Sequence, residues 1–314
     1  MASRHKFLLT LSVLFLPLTP YVLGTTENKA FGQGDDQLVL MTVTVWNRSG
    51  FVKGLKPEAF RIVDEKVVRP VEFFESIDTP VSIGILIDTS GSMDLPELKA
   101  TSRPKPIGEA ISRLFELGHP QNEYFLLGFN KRPRLLTDWS SGQEIITRRV
   151  DIEKAKGNTA LYDACLMAIE KLQTAHLSRR VLILISDGQD NISRHTFQDV
   201  RNRLRDSDVT LYALGITWPS DVWSLGLEGQ GVLDELSDVT GGKTFMAKNQ
   251  KQQIDAVDEV ASELHNQYSI GFRPGHADSP NKWRRLKLSV TAPADAPQEF
   301  RKLSFRTRRG YHTR

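Results

Sequence analysis

Residues 83–93 read IGILIDTSGSM, and the reading of this stretch decides the fold. Ile83, Ile85, Leu86 and Ile87 form an apolar run too short for a helix, which suits a strand covered on both faces. The run stops at Asp88. Ser90 and Ser92 follow at alternate positions, with Gly91 between them. A carboxylate and two hydroxyls therefore occupy a tight turn at the carboxyl end of a buried strand. That is where open α/β sheets place their ligand sites. Hard oxygen donors grouped in this way suit a divalent cation.

Working outward, strands and helices alternate from Pro80 onward. Strands are expected over 82–88, 124–129, 134–137, 181–186, 210–216 and 243–246. Helices are expected over 106–117, 141–150, 160–173, 197–205, 232–240 and 252–266. Ser141 and Glu144 have the spacing of a capping box. Gly241-Gly242 marks a helix stop. Ile254, Val257, Val260, Ala261 and Leu264 share one face of the last helix. This alternation implies parallel βαβ units in a doubly wound, mostly parallel, Rossmann-like α/β sheet. The two most apolar strands, 83–87 and 181–185, belong at its centre. Trp218, Trp223 and the glycine-rich stretch 226–231 read as a loop between a strand and a helix that covers a sheet edge, with a place near the ligand face as the alternative.

The flanks have a different pattern. Residues 38–46, LVLMTVTVW, alternate and are rich in β-branched side chains, and short strands are expected at 60–63 and 67–74. Strand character returns at 268–272, 286–290 and 303–306. The chain thus divides into a β-rich flank (38–79), an α/β domain (80–266) and a second β-rich flank (267–314). Pairing of the flanks would build one small accessory sheet from both ends of the chain.

The 314 residues carry a formal net charge of +3, which gives no general argument for nucleic acid. Arg4, His5 and Lys6 precede an apolar stretch over 7–18, and Val22-Leu23-Gly24 offers small residues for cleavage. The segment 1–24 therefore reads as a signal peptide and 25–37 as a polar linker. The apolar stretch is short for a membrane span, although an uncleaved anchor is the alternative. The expectation is an exported protein, periplasmic, surface-bound or secreted, that needs no membrane contact after cleavage. The single cysteine, Cys165, lies among apolar residues at helical spacing and reads as a small core residue.

Two further stretches share the position of the first motif. Gly157-Asn158-Thr159-Ala160-Leu161 opens a helix, and Ser186-Asp187-Gly188 ends the second apolar strand. Asp-x-Ser-x-Ser, Gly-x-Thr-x-Leu and Ser-Asp-Gly, in this order, resemble the von Willebrand factor type A domain with its metal-ion-dependent adhesion site. The resemblance covers about residues 80–265. It implies that Asp88, Ser90, Ser92, Thr159 and Asp187 hold Mg2+, with Mn2+ or Ca2+ as alternatives. It also implies that a partner protein's Asp or Glu carboxylate completes the coordination. In many relatives the last helix, here 252–266, shifts when ligand binds. With its β-rich flanks the chain further resembles the von Willebrand factor A-related proteins common in acidobacteria.

Other readings are weaker. Asp-Thr-Ser-Gly departs from the Asp-Thr-Gly of aspartic proteases and occurs once. Ser90 lacks a Gly-x-Ser-x-Gly setting and a partnered histidine. His195 reads as a solvated loop residue, and Asp190-Asn191 as turn-shaping, with extension of the site or calcium binding as the alternative. Any one of the three motif loops could be a set of helix caps, but three together point to a site. The expected function is a non-enzymatic, adhesion-type binding module. The alternatives are a scaffold or assembly subunit of an envelope complex and a metal-dependent hydrolase, for which the sequence offers no positioned general base.

Overall fold

The computed structural model describes residues 38–76, 78–93, 106–141, 157–217, 223–275, 282–292, 296, 300 and 302–313. In chain order its elements are β1 (Val39–Asn47), β2 (Gly50–Phe51), β3 (Phe60–Asp64), β4 (Val67–Arg69), β5 (Phe73–Glu75), β6 (Ser82–Asp88), α1 (Pro106–Leu117), β7 (Glu123–Phe129), β8 (Pro133–Ser140), α2 (Leu161–Leu172), β9 (Arg180–Ser186), α3 (Phe197–Asp206), β10 (Val209–Ile216), α4 (Trp223–Asp238), β11 (Lys243–Ala247), α5 (Gln250–Leu264), β12 (Gln267–Phe272), β13 (Trp283–Val290), β14 (Ser304–Arg306) and β15 (Gly310–His312). The expected segments 1–24 and 25–37 and the helix expected over 141–150 lie outside the described residues, Ser141 apart.

All seven residues of β6 are buried. It pairs in parallel with β7 on one side and β9 on the other, within a sheet of order β11-β10-β9-β6-β7-β8. Ile83, Ile85 and Ile87 face α1 and α5. Leu86 faces α2, α3 and α4. A fully buried aliphatic side chain of this size contributes about 1.5–3 kcal/mol, so two apolar faces fix β6 in the centre. Gly84 leaves room for Phe125 of β7, whose ring would lie 2.5 Å from an added Cβ.

Among the described strands of this sheet only β8 runs antiparallel, and it extends beyond the strand expected over 134–137. The glycine-rich stretch 226–231 lies inside α4 and is not a loop. Glycine is a poor helix former, which is why its pattern pointed the other way. Helix α3 carries a full capping box between Thr196 and Asp199. Asn249 caps α5 by accepting from the Gln252 amide at 3.0 Å.

The flanks pair, but they build two sheets and not one. The first has the order β14-β1-β12-β5, with β2 on β1, and the second the order β15-β13-β3-β4. Met41, Val43 and Val45 of β1 point into a core shared with Ile62 of β3 and Leu286 of β13. Both sheets alternate apolar and polar positions, so each has a face to bury, and they bury them against each other. The second sheet was partly hidden in the sequence because β4 and β15 are only three residues each.

Helix α5 runs directly into β12, and the joint is polar. Glu263 is 1% exposed and accepts from Arg306 of β14 at 2.5 and 2.6 Å, Thr44 of β1 at 2.6 Å and Tyr212 of β10 at 2.6 Å. A buried carboxylate is tolerable only when paired and hydrogen-bonded in this way. One side chain thus ties the last helix, the central sheet and both flanks together. Burial pushes the Tyr212 hydroxyl pKa well above 10, and the Glu263 charge adds to the rise.

Candidate metal centre

The carboxyl ends of β6 and β9 are neighbours because the two strands pair in register through Ile87 and Ile185. Asp88 ends β6 and Ser186 ends β9. The Ser186 hydroxyl donates to Asp88 Oδ2 at 2.7 Å, and the Ser90 amide donates to Asp88 Oδ1 at 2.8 Å. Ser90 and Ser92 bring their hydroxyl oxygens to 3.1 Å from each other. Ser92 lies in a short 3-10 turn over Gly91–Met93 and is exposed, while Asp88 and Ser90 are buried.

Backbone bonds tie the second loop to the first. The Gly91 amide donates to the Gly157 carbonyl at 3.0 Å, and the Ala160 amide to the Asn130 carbonyl at 2.7 Å. The Thr89 amide and hydroxyl both donate to the Phe129 carbonyl, fixing the first loop on the end of β7. Thr159, buried, is held by a two-way pair with Asn191: its amide donates to Asn191 Oδ1 at 2.9 Å, and the Asn191 amide donates to its carbonyl at 3.0 Å. Asp190 accepts from the Tyr162 amide near the start of α2 and from the Ser193 hydroxyl. The pair Asp190-Asn191 therefore binds the third loop to the second, a fuller role than turn-shaping alone.

Asp187 is also buried and accepts from the Gln189 amide at 3.0 Å. Gly188 has a φ of +82°, and a Cβ there would sit 2.2 Å from the Gly229 carbonyl oxygen of α4. The glycines of α4 let the helix backbone come against this loop. Ser186 is the site residue that the motif reading left without a role. It stood within the Ser-Asp-Gly signal, but its bond to Asp88 depends on the strand register.

Burial raises the Asp88 pKa to about 6; hydrogen bonds from Ser90 and Ser186 offset part of that rise, and the Asp187 charge adds to it. No lysine or arginine forms an ion pair with Asp88 or Asp187 among the described residues. Nor do those residues contain a cluster of three His, Cys, Asp or Glu side chains suited to a metal. The donor set is two carboxylates and several hydroxyls. These are hard oxygens without a soft or nitrogen donor, which fits Mg2+, Mn2+ or Ca2+ and not zinc.

Two other chemistries have no support in the arrangement. His195 pairs through Nδ1 with Asp163 at 2.8 Å, on α2, and not with Asp187 or a serine. Cys165 is fully buried, and burial pushes its thiol pKa up to about 12, which disfavours the reactive thiolate. Among the described residues no helix is long and apolar enough to cross a membrane.

The von Willebrand factor type A domain model matches residues 82–265, more than half of the chain. No curated protein sequence matches the chain. Among solved structures, BatB from Bacteroides thetaiotaomicron is similar at 17% identity over 59% of this chain and 97% of its own, with a TM-score of 0.47. The domain of the type V pili tip protein Mfa5 from Porphyromonas gingivalis is similar at 12% identity over 60% of this chain and 96% of its own, with a TM-score of 0.48. A von Willebrand factor type A protein from Catenulispora acidiphila is similar at 13% identity over 89% of this chain and 75% of its own, with a TM-score of 0.47.

Proposed function

The chain belongs to the von Willebrand factor type A domain family, whose members are mainly protein-interaction modules, and on that footing we propose that it is an exported, non-enzymatic binding protein. Its site is a metal-ion-dependent adhesion site held by Asp88, Ser90, Ser92, Thr159 and Asp187, with Mg2+ as the ion. Its ligand is an Asp or Glu carboxylate of a partner protein. The observation that carries this reading is the buried Asp88 carboxylate, bonded to Ser186 and Ser90 and lacking a cationic side-chain partner among the described residues.

The chain's own residues have distinct tasks. Ser186 and the Ser90 amide orient Asp88, so its lone pairs are partly engaged and its position is fixed. Ser90 and Ser92 offer neutral hydroxyl oxygens. Thr159 is set by Asn191, and Asp187 by the Gln189 amide. A divalent ion bound among so few protein charges keeps a strong attraction for an outside carboxylate. That is a binding chemistry. It needs no general base, and His195 is committed elsewhere.

Export follows from the reading of residues 1–24 as a signal peptide. Mass spectrometry of the mature protein should then find its N-terminus near residue 25, and a chain beginning at Met1 would contradict export with cleavage.

The functional reading is tested by capture of envelope proteins on immobilised full-length protein, with Mg2+ or with EDTA. Partner capture is expected only with Mg2+ and is expected to be lost in Asp88→Ala. Equal capture in EDTA, or by the folded Asp88→Ala variant, contradicts it.

A further inference from the structure

A second recess lies at the opposite end of the α/β domain from the metal centre. It is a cavity of about 350 Å3 between the outward face of the β1-β12-β5 sheet and the amino ends of β9 and β10. Cavities of this size are typical of small-molecule sites, which combine apolar walls with a few converging polar groups. Leu38, Leu40 and Phe73 supply apolar wall, and Thr42 and Ser269 supply hydroxyls.

The charged lining is unusual in how it is partnered. Arg179 donates to the Thr79 carbonyl, the Leu264 carbonyl and Gln267 Oε1, which are all neutral acceptors. Arg308 is held by the carbonyls of Gly310, Ser207 and Arg205, with the Asp208 carboxylate at 3.8 Å. Arg180 forms no ion pair among the described residues, and its Nε is buried with no hydrogen-bond partner among them. Burial also lowers the proton affinity of Arg179, outweighing Tyr212, Asp78 and Glu75. Arg180 lines the cavity, and a carboxylate is the group that fits the donor fork of a guanidinium.

Charge decides the ligand class. Three guanidinium groups face two carboxylates, Glu75 and Asp208, which leaves one positive charge in the lining. One added negative charge balances it, whereas a phosphate dianion would overshoot beside Glu75 and Asp208. We propose that this cavity binds a small free carboxylic acid in its ionised form, with its carboxylate on Arg180 and its aliphatic body against Leu40 and Phe73. The site is separate from the metal centre and is independent of the adhesion reading.

The test is calorimetric titration of the full chain with octanoate, with octanamide as the neutral counterpart, and with inorganic phosphate. Octanoate is expected to bind saturably, octanamide about tenfold more weakly or worse, and phosphate not at all. Arg180→Met keeps the apolar stem and removes the charge. It is expected to weaken octanoate about tenfold while leaving the thermal midpoint of the unliganded protein unchanged or higher. Ser269→Leu fills the cavity from the sheet side and is expected to abolish octanoate binding. Absence of saturable octanoate binding, equal binding of octanamide, unchanged octanoate affinity in Arg180→Met or Ser269→Leu, or phosphate binding tighter than octanoate would overturn the proposal. The octanamide comparison on the wild-type chain holds even if a variant fails to fold.

Discussion

Arg306 Nη2 donates to both carboxylate oxygens of Glu263, at 2.5 and 2.6 Å, and so joins the accessory strand β14 to the last helix of the α/β domain. Glu263 also accepts from Thr44 and Tyr212. The C-terminal flank, the N-terminal flank and the central sheet therefore meet at one buried carboxylate. The two parts of the molecule should unfold together.

Removing one member of this group leaves the others buried and uncompensated. Arg306→Met is expected to destabilise the protein by about 3–5 kcal/mol, the range for breaking a buried pair. Urea unfolding followed by far-UV circular dichroism measures it, and a single transition is expected in the wild type. A loss below about 1 kcal/mol would place Arg306 among ordinary surface pairs.

Gly188 should resist substitution for two reasons at one atom. Its φ is +82°, and an added Cβ would lie 2.2 Å from the Gly229 carbonyl oxygen. Gly188→Ala is expected to cost about 1–3 kcal/mol, from the strained backbone alone, and to push α4 from the third loop. The same unfolding assay gives the energy, and amide exchange of α4 reports the loosening. Unchanged stability and exchange would argue against this close packing.

Acid should loosen the base of the central sheet. Burial raises the Glu123 pKa, but hydrogen bonds from Ser82 and His176 outweigh it, and the net shift is below the ordinary value of 4.5. A carboxyl with a depressed folded pKa stabilises above its unfolded value, and that stability is lost as pH falls through the folded one. The contribution should be complete above about pH 5 and decline below the ordinary carboxylate range. Glu123→Gln should flatten the stability profile in that window. A parallel profile for the variant would show that Glu123 makes no such contribution.

Cys165 should be silent in the folded protein. It is fully buried, with a thiol pKa pushed up to about 12 by that burial. Ellman's reagent is expected to leave it unmodified in buffer and to react with it in concentrated urea. Fast reaction in buffer would mean that α2 opens readily.

Much of the architecture was legible in the residues because its strongest signals are local. Uninterrupted apolar runs at 83–87 and 181–185 announced strands buried on both faces, and both lie at the sheet centre. The motif residues Asp88, Ser90 and Ser92 lie at alternate positions of one short stretch, so their turn could be read directly. What escaped depended on distance. Glu263 meets Thr44 across 219 positions, and no pattern in either segment signals the other. Ser186 reaches Asp88 only because β6 and β9 pair in register. The glycines of α4 spoke for a loop by propensity, while tertiary packing used Gly229 to approach Gly188.

A divalent ion held by Asp88, Ser90, Ser92, Thr159 and Asp187 is what the proposed function requires. Its most direct test is electron paramagnetic resonance of Mn2+ titrated into the purified full-length protein, with Mg2+ as competitor. One saturable Mn2+ site per chain is expected, displaced by Mg2+, and lost in both Asp88→Ala and Thr159→Ala while circular dichroism remains that of the folded protein. No saturable Mn2+ binding by the wild type, or undiminished binding by either folded variant, would contradict it.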